Sequence, residues 1–335
     1  MTVDERYMMR ALQLAACGMG NVSPNPMVGA VVVGADGAII GEGYHRRCGG
    51  PHAEVNAIAS VRRRDLLPES TVYVTLEPCS HYGKTPPCAK LLIDSKVKKV
   101  VVGAGDPFPQ VSGRGVAMLR EAGIEVVEGV MATECRALNV RFMTAHTLQR
   151  PWVTLKWAQS ADGYMDDNRP EGHSYHFSNL LSTMLVHRLR SLHDAIMVGS
   201  GTVLADCPRL DCRHWPGRSP RPIILDRRHR LSEGIISTAS APIVMDNGSL
   251  TEDLHQLYKL GITSVLVEGG ATLLARFVAE GLWDAARVET AEVRFGSRGR
   301  AKAPILDLPP VRTEQIEGNR IDFFAQKSPE CVKNL

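Results

Sequence analysis

Short, almost uninterrupted apolar runs alternate with segments of helical period from one end of the chain to the other, and no other feature restricts the fold as much. Residues 5–18 carry Met8, Leu12 and Ala15 at helical spacing, with Met9 and Ala16 beside them. The breaker Ser23-Pro24-Asn25-Pro26 precedes a strand over Val28 to Val33, and the turn Gly34-Ala35-Asp36-Gly37 joins it to a second strand as a hairpin. A helix is expected to begin near His52 and a strand to cover Thr71 to Thr75. Pro87 suits the first turn of a helix running to about Ser95. Val97 to Gly103 reads as a buried strand, followed by a helix over 113–122, a strand over Ile124 to Val127 and a helix from Thr133. Such alternation predicts an α/β domain, a sheet covered by helices.

At 335 residues the chain exceeds one small core and suits two domains. The helical pattern gives way near His146 to Pro151, where a new strand begins over Trp152 to Trp157. Domains over 1–147 and 148–335 are therefore expected. The second half repeats the α/β alternation, with a helix over about 179–191, strands over 194–199, 222–226 and 242–245, and a helix over 251–260. Ser264 to Val267 then forms a strand that meets Glu268-Gly269-Gly270 and a helix, with later strands over 285–294 and near 320–325.

Composition narrows the function classes. A hydrophobic fraction of 44% with 22% charged residues is that of a soluble globular enzyme. No run of about 18 apolar residues offers a membrane span. The polar start Met1-Thr2-Val3-Asp4-Glu5-Arg6 lacks the basic and apolar regions of a secretion signal. Without such a signal, the 8 cysteines point to reduced thiols in the cytoplasm and to metal ligation rather than a disulfide framework. Net charge is +3, and the short runs Arg62-Arg63-Arg64 and Arg227-Arg228-His229-Arg230 read as solvated surface. No basic stripe speaks for a nucleic-acid partner.

Three short pieces carry chemistry: Pro51-His52-Ala53-Glu54, Pro78-Cys79 and Pro86-Pro87-Cys88. One histidine and two cysteines suit a single zinc ion, and three protein ligands leave the fourth tetrahedral position open, as catalysis requires. Glu54, two residues after His52 in the same helical turn, is placed to move protons between water and a departing amine. A closed structural site would need a fourth ligand, for which His81 is the candidate, and would leave Glu54 without a purpose. The pattern resembles the zinc nucleobase-deaminase signature, except that eight residues, Ser80 to Pro87, separate the two cysteines instead of two.

The longer stretch Glu77-Pro78-Cys79-Ser80-His81-Tyr82-Gly83-Lys84-Thr85-Pro86-Pro87-Cys88 resembles the bifunctional riboflavin-biosynthesis deaminase/reductase family. Asn25-Pro26-Met27-Val28-Gly29, Gly41-Glu42-Gly43-Tyr44-His45 and Asp106-Pro107 match at the family's spacing. So do Leu155-Lys156-Trp157-Ala158-Gln159-Ser160-Ala161-Asp162-Gly163, Gly201-Thr202-Val203-Leu204-Ala205-Asp206 and Val267-Glu268-Gly269-Gly270-Ala271-Thr272-Leu273. The resemblance implies a cytidine-deaminase-like α/β/α sandwich followed by a dihydrofolate-reductase-like α/β domain. It also implies two reactions: deamination of a phosphoribosylamino-diaminopyrimidinone, then NADPH reduction of its ribosyl group to a ribityl chain.

In the first half Asn25 can present donor and acceptor to a ring edge, and Lys84, His45 and His81 could meet the substrate phosphate or sugar. In the second, Glu268-Gly269-Gly270 before a helix reads equally as a tight turn or as a backbone approach to phosphate. By resemblance Gly270, Ala271, Thr272 and Leu273 line the cofactor phosphates, and Ala158, His176, Thr202 and Asp206 lie near the cofactor. Ser174, Arg190, Leu210, Arg213 and Glu268 surround the substrate, whose phosphate an arginine pair could clamp. Arg227, following a strand, could accept the 2′-phosphate of NADPH. Departures concentrate here: Gly172-His173-Ser174-Tyr175-His176 stands where the family shows Gly-Glu-Ser-x-Trp, and Asp206-Cys207-Pro208 where it shows Asp-Asp-Pro. Lys156 and Asp162 are possible proton donors. A nucleic-acid deaminase would want a basic channel and more aromatics than 5%, and a second half that only binds nucleotide or oligomerises remains an alternative. A symmetric homo-oligomer is expected.

Overall fold

A computed structural model describes every residue except 82–85, 108–111, 169–174, 233–237, 239 and 328–335. Two compact units divide the chain, Met1–Leu148 and Gln149–Leu335. In the first, helix α1 (Val3–Ala16) starts from a reciprocal cap. Thr2 Oγ1 accepts the Glu5 N–H at 3.2 Å, and the Glu5 carboxylate accepts the Thr2 N–H at 2.7 Å. Strands β1 (Gly29–Val33) and β2 (Ile39–Tyr44) form the expected hairpin.

Helix α2 (Ala53–Ser60), strand β3 (Thr71–Leu76), helix α3 (Cys88–Asp94), strand β4 (Lys99–Ala104), helix α4 (Arg114–Glu121) and strand β5 (Glu125–Glu128) follow. The sheet order is β2-β1-β3-β4-β5, antiparallel at β1 and parallel from β3 onward. Alternation along the strands fills both faces. Ala30, Val32, Val72, Val74, Val100 and Val102 pack with Ala57, Leu92 and Leu119 of α2, α3 and α4, whereas Val31, Val33, Tyr73 and Val101 pack with Met8 and Ala11 of α1. Burial on both faces is why these strands read as continuous apolar runs. Each wholly buried leucine, such as Leu92 or Leu119, contributes roughly 1.5–3 kcal/mol.

The helix expected from Thr133 is two helices, α5 (Ala132–Leu138) and α6 (Val140–Leu148). Between them the Asn139 amide is committed elsewhere: Oδ1 accepts the Met27 N–H at 2.7 Å and Nδ2 donates to the Met27 carbonyl at 2.8 Å. Gly43 lets α2 lie against β2, because a Cβ there would come within 2.3 Å of the Ala57 nitrogen.

The second unit runs β6 (Trp152–Gln159), β7 (Tyr164–Asp167), α7 (Leu180–Ser191), β8 (Ala195–Gly199), α8 (Ser200–Asp206), β9 (Arg221–Leu225) and β10 (Ile243–Met245). It continues with α9 (Leu250–Lys259), β11 (Ser264–Val267), α10 (Ala271–Ala279), β12 (Ala285–Thr290), β13 (Gly299–Lys302), β14 (Arg312–Ile316) and β15 (Asn319–Ala325). Its main sheet has the order β10-β9-β8-β11-β6-β12-β15-β14, with the first six strands parallel and the last two antiparallel. The strand expected over 285–294 stops at Thr290, and the short elements β7, α8, β13 and β14 have half-exposed sequences that carry no clear period.

One sheet face is apolar: Val153, Leu155, Trp157, Met197, Val265 and Val267 pack against Leu254, Leu257, Leu274 and Phe277 of α9 and α10. By alternation the other face carries Thr154, Lys156, Arg287 and Glu289, the last two 3% and 0% exposed. The chain leaves β8 for β9 on one side, and leaves the neighbouring β11 for β12 on the other side of β6. Connections that diverge this way open a crevice at the carboxyl ends of the strands, where α/β proteins bind ligands.

Candidate active sites

In the first unit His52 is the N-cap residue of α2, Cys88 opens α3, and Cys79 lies in the loop after β3. Cys88 donates its backbone N–H to Cys79 Sγ at 3.3 Å, so the second cysteine's helix start orients the first cysteine's sulfur. His52 Nδ1 stands 3.7 Å from Cys79 Sγ and 3.4 Å from Cys88 Sγ. Zinc bonds of about 2.3 Å to sulfur and about 2.0 Å to nitrogen at a tetrahedral angle separate such atoms by about 3.5 Å. The three ligand atoms therefore fit a zinc ion. They also form the single cluster of three or more candidate metal ligands found among the described residues.

Glu54, in the first turn of α2, is 3% exposed beside these ligands. Burial, then the Cys79 thiolate, pushes its carboxyl up to about 7, against the opposing pull of His52. The Cys88 thiol and His52 hold Cys79 down to about 4 through hydrogen bonds, and Cys88 is pushed up correspondingly by Cys79 and by burial.

His45 connects this centre to Asn25. Its Nδ1 lies 3.0 Å from the Pro51 carbonyl, which can only accept, so Nδ1 carries the proton and the bare Nε2 accepts from Asn25 Nδ2 at 3.1 Å. Burial lowers the His45 pKa and keeps the ring neutral, consistent with that tautomer. The His45 ring stands edge-on to His52 at 5.5 Å. Glu77 supports the same region from below: its carboxylate accepts the Gly113 and Gly115 N–H groups at 3.0 Å each. Gly115 must lack a Cβ, which would fall 1.9 Å from the Pro78 carbonyl oxygen. His81 is exposed, and Lys84 lies outside the described residues.

In the second unit the crevice ends of β8 and β11 meet. Gly270, the N-cap of α10, donates its N–H to Thr202 Oγ1 at 3.0 Å, and a Cβ on Gly269 would come within 3.3 Å of the Gly199 nitrogen. A Cβ on Gly199 would meet nothing, so open space adjoins backbone there. Arg227, just beyond β9, donates Nη2 to buried Asp253 at 3.1 Å, while its Nε is buried without a partner. Arg230 Nη2 donates to Ser200 Oγ at 3.0 Å. An open backbone cradle between two strand ends, flanked by an orphaned guanidinium nitrogen, fits a phosphorylated dinucleotide such as NADPH. Thr202 and Leu273 are in the cradle, with Ala271 and Thr272 opening α10. Asp206 ends α8, Ala158 lies near the end of β6, and His176 is exposed.

Glu268, one residue past β11, receives Arg190 Nε and Nη2 at 2.8 Å each, and Arg190 Nη1 donates to the Asp211 carbonyl at 3.0 Å. Burial alone would raise the Glu268 carboxyl, but Arg190, with Lys156 and His187, holds it at about 2. The fork of Arg190 is thus spent on Glu268 and Asp211. Arg213 instead reaches the Asp211 carboxylate at 2.6 Å, and Leu210 is buried with a left-handed φ of 54°. Ser174 lies outside the described residues. Lys156 is an interior residue of β6, and burial lowers its pKa.

Residues 1–104 match the cytidine and deoxycytidylate deaminase zinc-binding region, and residues 151–315 match the RibD C-terminal domain. The riboflavin biosynthesis protein RibD of Aquifex aeolicus is 40% identical over 84% of this chain and 85% of its own. This chain belongs to the RibD family. The Escherichia coli RibD is 35% identical over 93% of this chain and 96% of its own. The crystal structure of a diaminohydroxyphosphoribosylaminopyrimidine deaminase/5-amino-6-(5-phosphoribosylamino)uracil reductase from Thermotoga maritima matches with a TM-score of 0.83 at 39% identity. It covers 96% of this chain and 98% of that one. As a RibD protein the chain is a bifunctional enzyme of riboflavin biosynthesis, with a zinc-binding deaminase domain and an NADPH-dependent reductase domain.

Several residues that the RibD fold brings to these centres are not singled out by the sequence. Glu77 and Asn139 hold backbone far along the chain, Gly113 with Gly115 and Met27 respectively, and nothing local announces these partners. Arg230 belongs to a run that reads as surface. Arg287 and Glu289, paired at 3.3 Å beneath α7, do carry a signal: two charges in an otherwise apolar strand.

Proposed function

We propose that the first unit deaminates the diaminopyrimidinone carrying a phosphoribosylamino group, and that the second reduces the product's ribosyl group. The single observation that carries the reading is the buried Glu54 carboxyl beside three zinc-fitting ligand atoms. The Thermotoga maritima relative named for these two activities, similar over nearly the whole chain, supplies the substrate.

His52, Cys79 and Cys88 would hold the zinc ion, which would supply Lewis-acid activation of water near neutral pH. Glu54 takes a proton from the attacking water, holds it in a buried site that favours the neutral carboxyl, and passes it to the departing amine. The ring carbon exchanges its C–N bond for C=O, and ammonia leaves. Asn25, oriented by neutral His45, presents its amide to the ring edge; both His45 nitrogens are taken, so the sugar and phosphate fall to His81 and Lys84.

NADPH supplies the hydride for the second reaction. Gly270, Ala271, Thr272 and Leu273 hold its phosphates, Thr202, Asp206, Ala158 and His176 line its path, and Arg227 meets the 2′-phosphate. Glu268 faces the substrate as a fixed anion, with Ser174, Arg190, Leu210 and Arg213 around it. The enzyme works in the cytoplasm as a homo-oligomer, without nucleic-acid or membrane partners. Support for the location is the commitment of Cys79 and Cys88 to a metal site rather than to a disulfide framework.

The test follows ammonia release and absorbance with the phosphoribosylamino-diaminopyrimidinone, first alone and then with NADPH. Ammonia without NADPH, followed by NADPH oxidation, is the expected sequence. NADPH oxidation before any ammonia would overturn the order, and persistence of deamination after complete zinc removal would overturn the mechanism.

A further inference from the structure

Glu289, on β12, is wholly buried, and nothing in the two reactions above uses it. Four donors converge on its carboxylate. Oε2 accepts Ser178 Oγ at 2.9 Å, Ser182 Oγ at 2.6 Å and Arg287 Nη1 at 3.3 Å, and Oε1 accepts Asn319 Nδ2 at 2.8 Å. Arg287 Nη2 also donates to Ser182 Oγ at 3.1 Å, so that hydroxyl bridges the ion pair. Burial alone would raise the Glu289 carboxyl, but Ser182, Arg287, Lys156 and Asn319 hold it below its ordinary range. An ionised carboxylate only accepts, so both serine hydroxyls point their protons at it.

Stability explains this group poorly. A buried ion pair is often no more stabilising than apolar side chains of the same volume, because desolvation offsets the attraction. What directional bonds supply instead is one geometry, and here it is that of the stretch before α7. Asn319 spends both amide hydrogens at 2.8 Å, one on Glu289 and one on the Phe177 carbonyl. Asn179 accepts the Ser182 N–H at 2.8 Å and donates to the Ile316 carbonyl at 2.9 Å. At the outer end the Tyr175 ring packs against those of Phe177 and Phe295 at 4.9 and 5.0 Å, and the Phe295 N–H donates to Asp162 at 3.2 Å. His176, between these anchors, is exposed. Glu289 itself pairs with Ala158 across β12 and β6, near the strand ends where the crevice opens.

We propose that Glu289 is a positioning residue of the reductase centre: through Ser178, and through Asn319 on the Phe177 carbonyl, it fixes residues 175–178 so that the Tyr175 ring and His176 meet the cofactor. This role rests on the placement of His176 along the NADPH path given above and adds the group that holds it there. Because the stretch is anchored before the cofactor arrives, binding does not have to order it, and the gain lies in affinity rather than in chemical rate.

The test measures reduction of the separately supplied deaminated intermediate by the full-length enzyme at varied NADPH. Replacing buried Glu289 risks misfolding, so its tie is cut at half-buried Ser178, which leaves the carboxylate its bonds to Ser182, Arg287 and Asn319. Ser178→Ala raises KM for NADPH about tenfold, the weight of roughly one hydrogen bond to a charged group, and changes kcat less than about twofold. Ser178→Thr, which keeps the hydroxyl, restores KM. A wild-type KM in Ser178→Ala, a loss carried by kcat instead, or a rise that threonine does not reverse overturns the positioning role. His176→Ala tests the placement beneath it: KM for NADPH rises if His176 lies on the cofactor path, and an unchanged KM overturns that placement. A rise in His176→Ala with none in Ser178→Ala leaves the placement standing and removes Glu289 from it.

Discussion

Two buried glutamates, one in each half of the molecule, sit in opposite protonation regimes. Glu54 is 3% exposed with its carboxyl pushed up to about 7, while Glu268, also withdrawn from solvent, is held at about 2. Burial raises both. What differs is the partner: Glu268 receives two nitrogens of Arg190 at 2.8 Å, whereas Glu54 faces thiolate sulfur and a single imidazole. A carboxyl that titrates near neutrality can carry a proton from one reactant to another, and a carboxylate locked to a guanidinium can only orient and stabilise charge. On the proposed function, the deaminase centre is a proton-transfer device and the reductase centre a fixed electrostatic frame around a transferred hydride.

This contrast can be broken experimentally. The largest effect belongs to Glu54→Gln, which removes the mobile proton but preserves shape. Deamination falls by roughly 10²–10⁴-fold, while reduction of the separately supplied deaminated intermediate persists; equal losses in both assays would erase the distinction. Next comes Arg190→Ala, which leaves Glu268 buried and unpaired. The unfolding transition of the reductase half, identified as the one NADPH shifts, loses about 3–5 kcal/mol. A melt unchanged by this substitution would mean that Glu268 is not locked by its partner.

The two carboxyls also give opposite pH dependences. In metal-free protein the raised Glu54 pKa contributes stability that is complete below about 4.5 and lost as pH rises through about 7. The lowered Glu268 pKa contributes stability that is present above about 4.5 and lost as pH falls toward about 2. Denaturant melts of Glu54→Gln and Glu268→Gln across these windows should each flatten one slope and leave the other. The smallest effect is expected at Arg227. Its replacement by alanine lowers the NADPH-over-NADH preference in direct binding about tenfold, the loss of one charge-assisted hydrogen bond to the 2′-phosphate. An unchanged ratio would assign that orphan Nε to structure alone.

The legibility of the two halves differs for related reasons. In the first, β1, β3 and β4 are readable because burial on both faces demands continuous apolar runs, and α2 and α3 because their starts carry the metal-ligand motifs. The break at Asn139 is not readable, since a helix and a loop 112 residues apart decide it together. In the second half the parallel strands β6, β8, β9 and β11 stand out. The half-exposed β7, β13 and β14, which satisfy neither an apolar run nor a clean period, do not. Arg190 can be placed on its helix from sequence, but whether its fork meets substrate or Glu268 cannot.

Amino-acid order alone determined the two-part α/β architecture, the candidate zinc ligands His52, Cys79 and Cys88, and the proximity of Glu54 to them. Rare soft ligands beside helix starts leave few chemical alternatives, and a two-residue offset within one helical turn is a local distance. Only the tertiary structure decided which charges are spent on one another, where backbone opens between β8 and β11, and which proton each buried glutamate keeps. Those depend on desolvation and on partners separated by dozens of residues, such as Arg190 and Glu268, and no spacing along the chain encodes a distance that only chain folding creates.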